Sequence, residues 1–280
     1  MAIKIVTDST ADLPPELVSE LDIAVVPLKV HFGDVEYLDG IDLDPDSFFA
    51  KLQASDIIPR TSQPSPADFE AVYGKIAQQG DTIISIHLSA QLSGTYQSAM
   101  IAKEALPELD IEIFDSQTGS MALGMVVLEA ARAVKAGKSK AEITVQIKEN
   151  LQKAKVFFAV DTLEYLQKNG RIGKAAALLG GLLHLKPLLT LKDGIIVPKE
   201  KVRGKAKVQQ RLIEIIGEEF GPDVQGKAVV LHTCELAAAL KMKEIIEAEY
   251  NFSEVLLAAV GSVIGTHLGP GVLAIAVLPD

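Results

Sequence analysis

Hydroxyl and amide side chains gather at four places in the first half of this 280-residue chain. They are Thr7-Asp8-Ser9-Thr10, Thr61-Ser62-Gln63-Pro64-Ser65, Ser89 to Thr95, and Asp115-Ser116-Gln117-Thr118. Three of them follow short apolar runs, and no charged residue lies between Asp81 and Lys103. Hydroxyls beside the unpaired N–H groups of a helix start can hold an anionic oxygen without any Lys or Arg. The chemistry this suits is retention of a small anionic head group, a carboxylate or a phosphate. Each cluster taken alone also reads as an ordinary helix cap, and Asp8 and Asp115 read as acceptors for loop backbone.

Other chemistries have less support. Ser93 lacks the G-x-S-x-G elbow. Paired with His267, and with Asp8 or Asp115 as a third member, it leaves a serine hydrolase or acyltransferase as the alternative reading. His87 falls inside an apolar strand and reads as a core histidine, while His31 and His184 show no pairing pattern. His232 and Cys234 stand two apart with no second such pair, which argues against zinc. Neither G-x-G-x-x-G nor a Walker A loop is present, so no nucleotide pocket is recognisable and the chain is not built as a kinase on its own.

The second half adds three features. Gly170-Arg171-Ile172-Gly173 puts a cation between glycines, and Ile264 to Gly271 brings His267 into a glycine-rich loop expected between two strands. Pro198 to Lys207 holds five cations and one anion, which suits docking of a partner or neutralising of a phosphate. Ala175 to Leu185 has no charge and is apolar on nearly every side, so it is expected as a buried helix or as the wall of a greasy pocket. It is too short to span a bilayer. With the hydroxyl-rich turn, it points to an amphiphilic ligand with a polar head and a long apolar tail.

Composition sets the frame. A net charge of −10 and a pI near 5.1 oppose a general nucleic-acid or anionic-membrane binder. Hydrophobic residues make up 48%, enough for a packed core. One cysteine excludes an internal disulfide framework and suits a reducing compartment. The N-terminal residues reach the carboxylate of Asp8 before any apolar stretch long enough for a signal peptide, so none is expected. The expected location is the cytoplasm.

The elements that must position these groups alternate. Strands are expected at Ile3–Val6, Ile23–Val30, Thr82–Leu88 and Ile111–Phe114, with helices after Pro14, through Gln53, over Phe69–Gln79, from Ser93, and over Leu123–Val134 and Ala141–Lys153. That alternation argues for a parallel sheet covered on both faces. After Lys155 the pattern changes: Asp193-Gly194 between two apolar runs is a hairpin signal. The fold class is therefore α/β in two domains. Residues 1–154 form a parallel-sheet α/β/α unit, and 155–280 an α+β unit with a mixed sheet, the ligand lying between them.

The motifs Ile5 to Leu13, Thr61-Ser62-Gln63-Pro64, Leu92 to Ala99, Asp161 to Leu166, Gly170-Arg171-Ile172-Gly173, Lys186-Pro187 and Gly265-Thr266-His267 resemble the DegV family in order and spacing. The likeness extends over essentially the whole chain. It implies the fatty-acid-binding subunit of a bacterial fatty acid kinase: a non-catalytic carrier that presents the carboxylate of a long-chain fatty acid to a separate ATP-using kinase subunit. The acyl phosphate would then feed phospholipid synthesis. The resemblance implies that Thr61, Ser62, Ser93, Gly94 and Thr95 surround the carboxylate. His267, with Thr266 beside it, would bond the carboxylate or the acyl phosphate. Arg171 belongs to the Arg-Ile-Gly motif, and Arg203 would face the kinase or the phosphate. No cofactor or metal is implied. Asn169 stands where the family usually has a second glycine, and Asn tolerates the left-handed backbone expected there.

Overall fold

A computed structural model describes residues 2–180 and 185–280. The first half runs β1 (Ile3–Asp8), α1 (Pro15–Glu20), β2 (Ile23–Val26), β3 (Lys29–Phe32), β4 (Val35–Leu38), α2 (Pro45–Gln53) and β5 (Arg60–Ser62). It continues with α3 (Pro66–Ile76), β6 (Thr82–His87), α4 (Thr95–Ala105), β7 (Asp110–Asp115), α5 (Ser120–Lys135) and α6 (Lys140–Lys153). The second half runs β8 (Lys155–Ala159), α7 (Glu164–Lys168), β9 (Leu185–Lys192), β10 (Ile195–Arg203), α8 (Lys205–Phe220), β11 (Gln225–His232), α9 (Leu236–Glu249), β12 (Asn251–Ala259), α10 (Ser262–Leu268) and β13 (Leu273–Pro279).

The class is α/β, as the alternation implied. One sheet has the order β2-β1-β6-β7 and is parallel throughout. A six-stranded sheet, β10-β9-β8-β13-β11-β12, is mixed: only β11 and β12 run parallel. The hairpin β9–β10 turns at Asp193-Gly194, both with positive φ, as a two-residue turn of this hand requires.

Two expectations give way. The single strand expected over Ile23–Val30 is two strands in different sheets: β2 joins the parallel sheet, while β3 pairs with β4 and β5 in a small antiparallel sheet. Pro27 lies between them, fixes φ and has no N–H for a ladder, so the run breaks there. The helix expected over the apolar stretch from Ala175 is a 3-10 turn over Gly173–Leu178, and Leu185 already opens β9. Residues 181–184, with His184, lie outside the described residues.

Helix α5 explains how the halves meet. It is apolar on both sides because it packs between the two larger sheets. One buried cluster runs from Ile5, Ile84 and Ile86 through Met121, Val126 and Leu128 to Val156, Phe158, Val229 and Ala276. At its outer end Arg132 donates to both oxygens of Glu254 on β12, at 2.8 Å each, and Lys227 on β11 pairs with Glu129.

Helix α10 belongs in sequence to the mixed-sheet half but sits on the small sheet and α2. Val263 packs with Leu28, Val30, Phe48 and Phe49. Gly265 permits that seat: a Cβ there would come within 2.8 Å of the Phe49 ring and 3.0 Å of Phe48.

Candidate functional site

The hydroxyl clusters divide between loop-building and cavity-lining roles. Asp8 accepts from Thr10 N–H (3.1 Å), the Thr10 hydroxyl, and Leu88 N–H (3.0 Å), and it pairs with His87 Nδ1 at 3.0 Å. His87 Nε2 shares a 2.6 Å bond with Ser85 Oγ. His87 is the satisfied core histidine that its strand position implied, and this network fixes the carboxyl end of β6. Asp115 accepts from Ala90 N–H and Gln117 N–H, and Ser116 closes its loop on Thr118. Both aspartates serve backbone, as expected. Ser65 caps α3 in a reciprocal pair with Asp68.

Three further cluster residues, Thr61, Gln63 and Ser93, line a cavity between the two halves. Its apolar walls come from Leu88 and Leu92, from Val156, Phe158, Leu191, Ile196, Leu231 and Ala274 of the mixed sheet, and from Val263, Ile264 and Leu268 of α10. Its polar residues are Thr61, Gln63, Ser93, Ser120, Arg171 and His267. The cavity proper is narrow, about 90 Å3, and the atom-free space around it, mouth included, comes to about 860 Å3.

His267 is the centre of the polar end. It lies in the last turn of α10, not in the loop expected from its glycines, because Ser262 to Leu268 close helical hydrogen bonds before Gly269 ends them with φ +75°. Its Nε2 shares a 2.9 Å hydrogen bond with Thr61 Oγ1. Its Nδ1 is buried without a partner. Burial, assisted by the Arg171 cation, pushes the imidazole pKa down to about 4, so the ring is neutral at pH 7. Arg171 Nε donates to Leu92 O (3.1 Å) and Nη1 to Asn169 O (2.8 Å), which ties the Arg-Ile-Gly segment to the β6–α4 loop. Asn169 itself has φ −93°; Gly170, at +70°, takes the left-handed position, so the turn places no unusual demand on Asn169.

Ser93 lines the same cavity, and its hydroxyl shares a 2.9 Å bond with Thr95 Oγ1 at the start of α4. Gly94 lets Gln63 close in: a Cβ would lie 2.8 Å from Gln63 Nε2. Four of the expected residues, Thr61, Ser93, Arg171 and His267, therefore line one cavity. The others stand elsewhere. On β5 alternate side chains face opposite ways, so Ser62 points to His31 Nε2 (2.9 Å). Thr95 is buried behind Ser93, and the Thr266 hydroxyl donates to Ser262 O within α10. Arg203 is exposed at the end of β10, seven residues or about 23 Å of strand from the cavity residue Ile196.

Sequence reasoning named Gln63 only as part of its cluster, and it missed Ser120 and a pair of buried carboxyls. Asp12, in the turn between β1 and α1, accepts from Gly261 N–H (3.0 Å) and the Ser120 hydroxyl. Asp39 accepts from Ser262 N–H (3.0 Å). Burial raises the Asp12 pKa well above the usual carboxylate range and that of Asp39 to about 6. These partners are 249 and 223 residues apart in sequence, so no local pattern announces them. No serine triad is assembled: Ser93 bonds Thr95, His267 bonds Thr61, and Asp8 is committed to His87. Among the described residues no cluster of His, Cys, Asp and Glu could hold a metal ion, and no helix is long and apolar enough to cross a membrane.

A three-sheet α/β protein with a mostly apolar cavity that is polar at one end is the class that this geometry defines. Residues 2–280 match the family model described as an uncharacterised protein of the DegV family, and the chain belongs to that family. Protein DegV of Bacillus subtilis is 37% identical over 276 residues, covering 98% of each chain. The crystal structure of DegV from Bacillus subtilis, a fatty acid binding protein, matches all of both chains with a TM-score of 0.90 and 35% identity. A DegV family protein from Thermus thermophilus, solved for its fatty acid binding, has a TM-score of 0.92 at 35% identity, again over all of both chains. A stearic-acid-binding protein from Eubacterium ventriosum has a TM-score of 0.88 at 26% identity, covering 100% of this chain and 98% of that one.

Proposed function

We propose that this protein is a carrier that holds a long-chain fatty acid between residues 1–154 and 155–280. In this reading it presents the carboxylate to a separate ATP-using kinase. The observation that carries the reading is the unpartnered, buried Nδ1 of a neutral His267 at the polar end of an otherwise apolar cavity.

The physical chemistry supports each half of the ligand. With the proton on Nδ1, His267 donates to a carboxylate oxygen while Nε2 accepts from Thr61. Ser93 and Gln63 supply further donors from the β6–α4 and β5–α3 segments. Leaving even a neutral buried polar group unpaired costs about 2–7 kcal/mol, so a carboxylate needs these donors; hydrogen bonds to an ionised group are the stronger kind. Arg171 adds a positive field without closing a salt bridge over the head group. Each methylene taken from water contributes about 0.8 kcal/mol. The slit is smaller than a typical ligand pocket of about 300–1,000 Å3, so its Leu and Ile side chains turn aside when a chain occupies it.

In the transfer step a carboxylate oxygen attacks the γ-phosphorus of ATP held by the kinase, the bond to ADP breaks, and an acyl phosphate forms. Arg203, exposed at the end of β10, serves partner docking in this reading, away from the head group. The setting is cytoplasmic, and phospholipid synthesis consumes the product. The test is to mix the protein, loaded with palmitate, with ATP and a fatty acid kinase subunit and trap acyl phosphate with hydroxylamine. Acyl hydroxamate that requires all three components supports the carrier reading. Ester hydrolysis by the protein alone, with no trapped product, contradicts it.

A further inference from the structure

Helix α10 carries His267 at one end and meets two buried carboxyls at the other. Asp12 comes from the turn after β1 and Asp39 from the segment after β4; each accepts from one of the backbone N–H groups that open α10, those of Gly261 and Ser262. Asp39 Oδ2 is buried with no hydrogen-bond partner. No cation compensates the pair among the described residues. On the elements packed against α10, Lys29 pairs with Glu36, Lys168 with Glu164, and Lys51 lies over the rings of Phe32 and Tyr37. His31 bonds Ser62, Arg60 and Asp46 are exposed, and Asp8 is held by His87.

We propose that Asp39, backed by Asp12, is a positioning residue that sets how tightly the site holds an anionic head group. Its negative charge at the start of α10 opposes a carboxylate beside His267 at the end, and neutralising it tightens the hold. The inference rests on the fatty-acid reading above. Ser262 and His267 stand five positions apart, about 7.5 Å along the helix axis. Two like charges about 10 Å apart, at an effective dielectric constant near 20, shift an equilibrium roughly tenfold. The hydrogen bond to Ser262 N–H needs only an oxygen acceptor, so an amide at position 39 keeps α10 in place while removing the charge. Burial already favours the neutral acid, which places the change of charge in the range where pH controls it.

The test compares wild type with Asp39→Asn, each as the full chain, in the release of two probes: palmitate and the uncharged hexadecanol. At pH 8 the variant is expected to hold palmitate about tenfold more tightly and hexadecanol equally. The advantage for palmitate should shrink towards pH 5.5. Equal tightening for both probes would mean a change of cavity shape and would overturn the proposal, as would unchanged palmitate release. If Asp39→Asn does not fold, Asp12→Asn is read by the same two probes. Failure of the wild type to bind either probe would instead overturn the fatty-acid reading, and the proposal with it.

Discussion

Replacing Thr61 by valine tests the polar end with little change of shape, because a methyl takes the place of the hydroxyl. In the wild type that hydroxyl is the partner of His267 Nε2 at 2.9 Å, while Nδ1 has none. The variant therefore leaves both ring nitrogens unpaired in the free protein. A buried group so stranded costs about 1–3 kcal/mol, which for a chain of this size lowers Tm by roughly 2–6 °C. Binding suffers separately. Nothing then selects the tautomer that donates from Nδ1, and a bond to a charged oxygen is worth about 1.5–3 kcal/mol. Release of palmitate should accelerate roughly ten- to a hundredfold. Thermal unfolding and displacement of a fluorescent fatty acid read the two effects on one preparation. A fall in Tm with unchanged palmitate release would refute the reasoning, because Thr61 would then be a support of α10 and no part of the head-group site.

Other outcomes follow from the same geometry. Ser93→Ala should speed palmitate release several-fold and leave far-UV circular dichroism unchanged, since its hydroxyl bonds only the neighbouring Thr95 hydroxyl and N–H among the described residues; release at the wild-type rate would remove Ser93 from the site. Gly265→Ala drives a Cβ to 2.8 Å from the Phe49 ring and should cost about 1–3 kcal/mol by urea unfolding, with weaker palmitate retention as α10 shifts. Full stability in that variant would show that the aromatic seat yields freely. Asp39 has a folded-state pKa raised from 3.8 to about 6, so its ionisation opposes folding above that range and not below 3.8. The stability of Asp39→Asn relative to wild type should therefore rise by about 3 kcal/mol from pH 3.5 to pH 8, and a flat difference would count against it. His267 carries the opposite sign: its folded pKa of about 4 lies below the ordinary 6.5, so its contribution is present above 6.5 and lost as pH falls towards 4. His267→Gln should flatten that limb of the pH–stability curve.

Much of the fold was legible because its signals are local. Alternating apolar and amphipathic segments announced the parallel sheet, and Asp193-Gly194 announced the hairpin. Ser93, Thr61, Arg171 and His267 could be singled out from residue type, from their glycine or hydroxyl surroundings and from family motifs. The misreadings have physical reasons. Pro27 ends one strand and lets the next join another sheet, which the apolar residues on both sides of it conceal. The glycines around His267 read as a loop, yet Gly265 is there for the close approach of the Phe48 and Phe49 rings. Ser120, Asp12 and Asp39 carry no local signature, since their neighbours come from the far end of the chain or across the cavity.

Denaturing extraction of the freshly purified protein, followed by mass spectrometry of its small molecules, tests the central claim most directly. The account predicts a fatty acid of long chain near one per protein, lost or sharply reduced in Thr61→Val and Ser93→Ala. A wild-type protein that carries no fatty acid and takes up none when palmitate is supplied would contradict it.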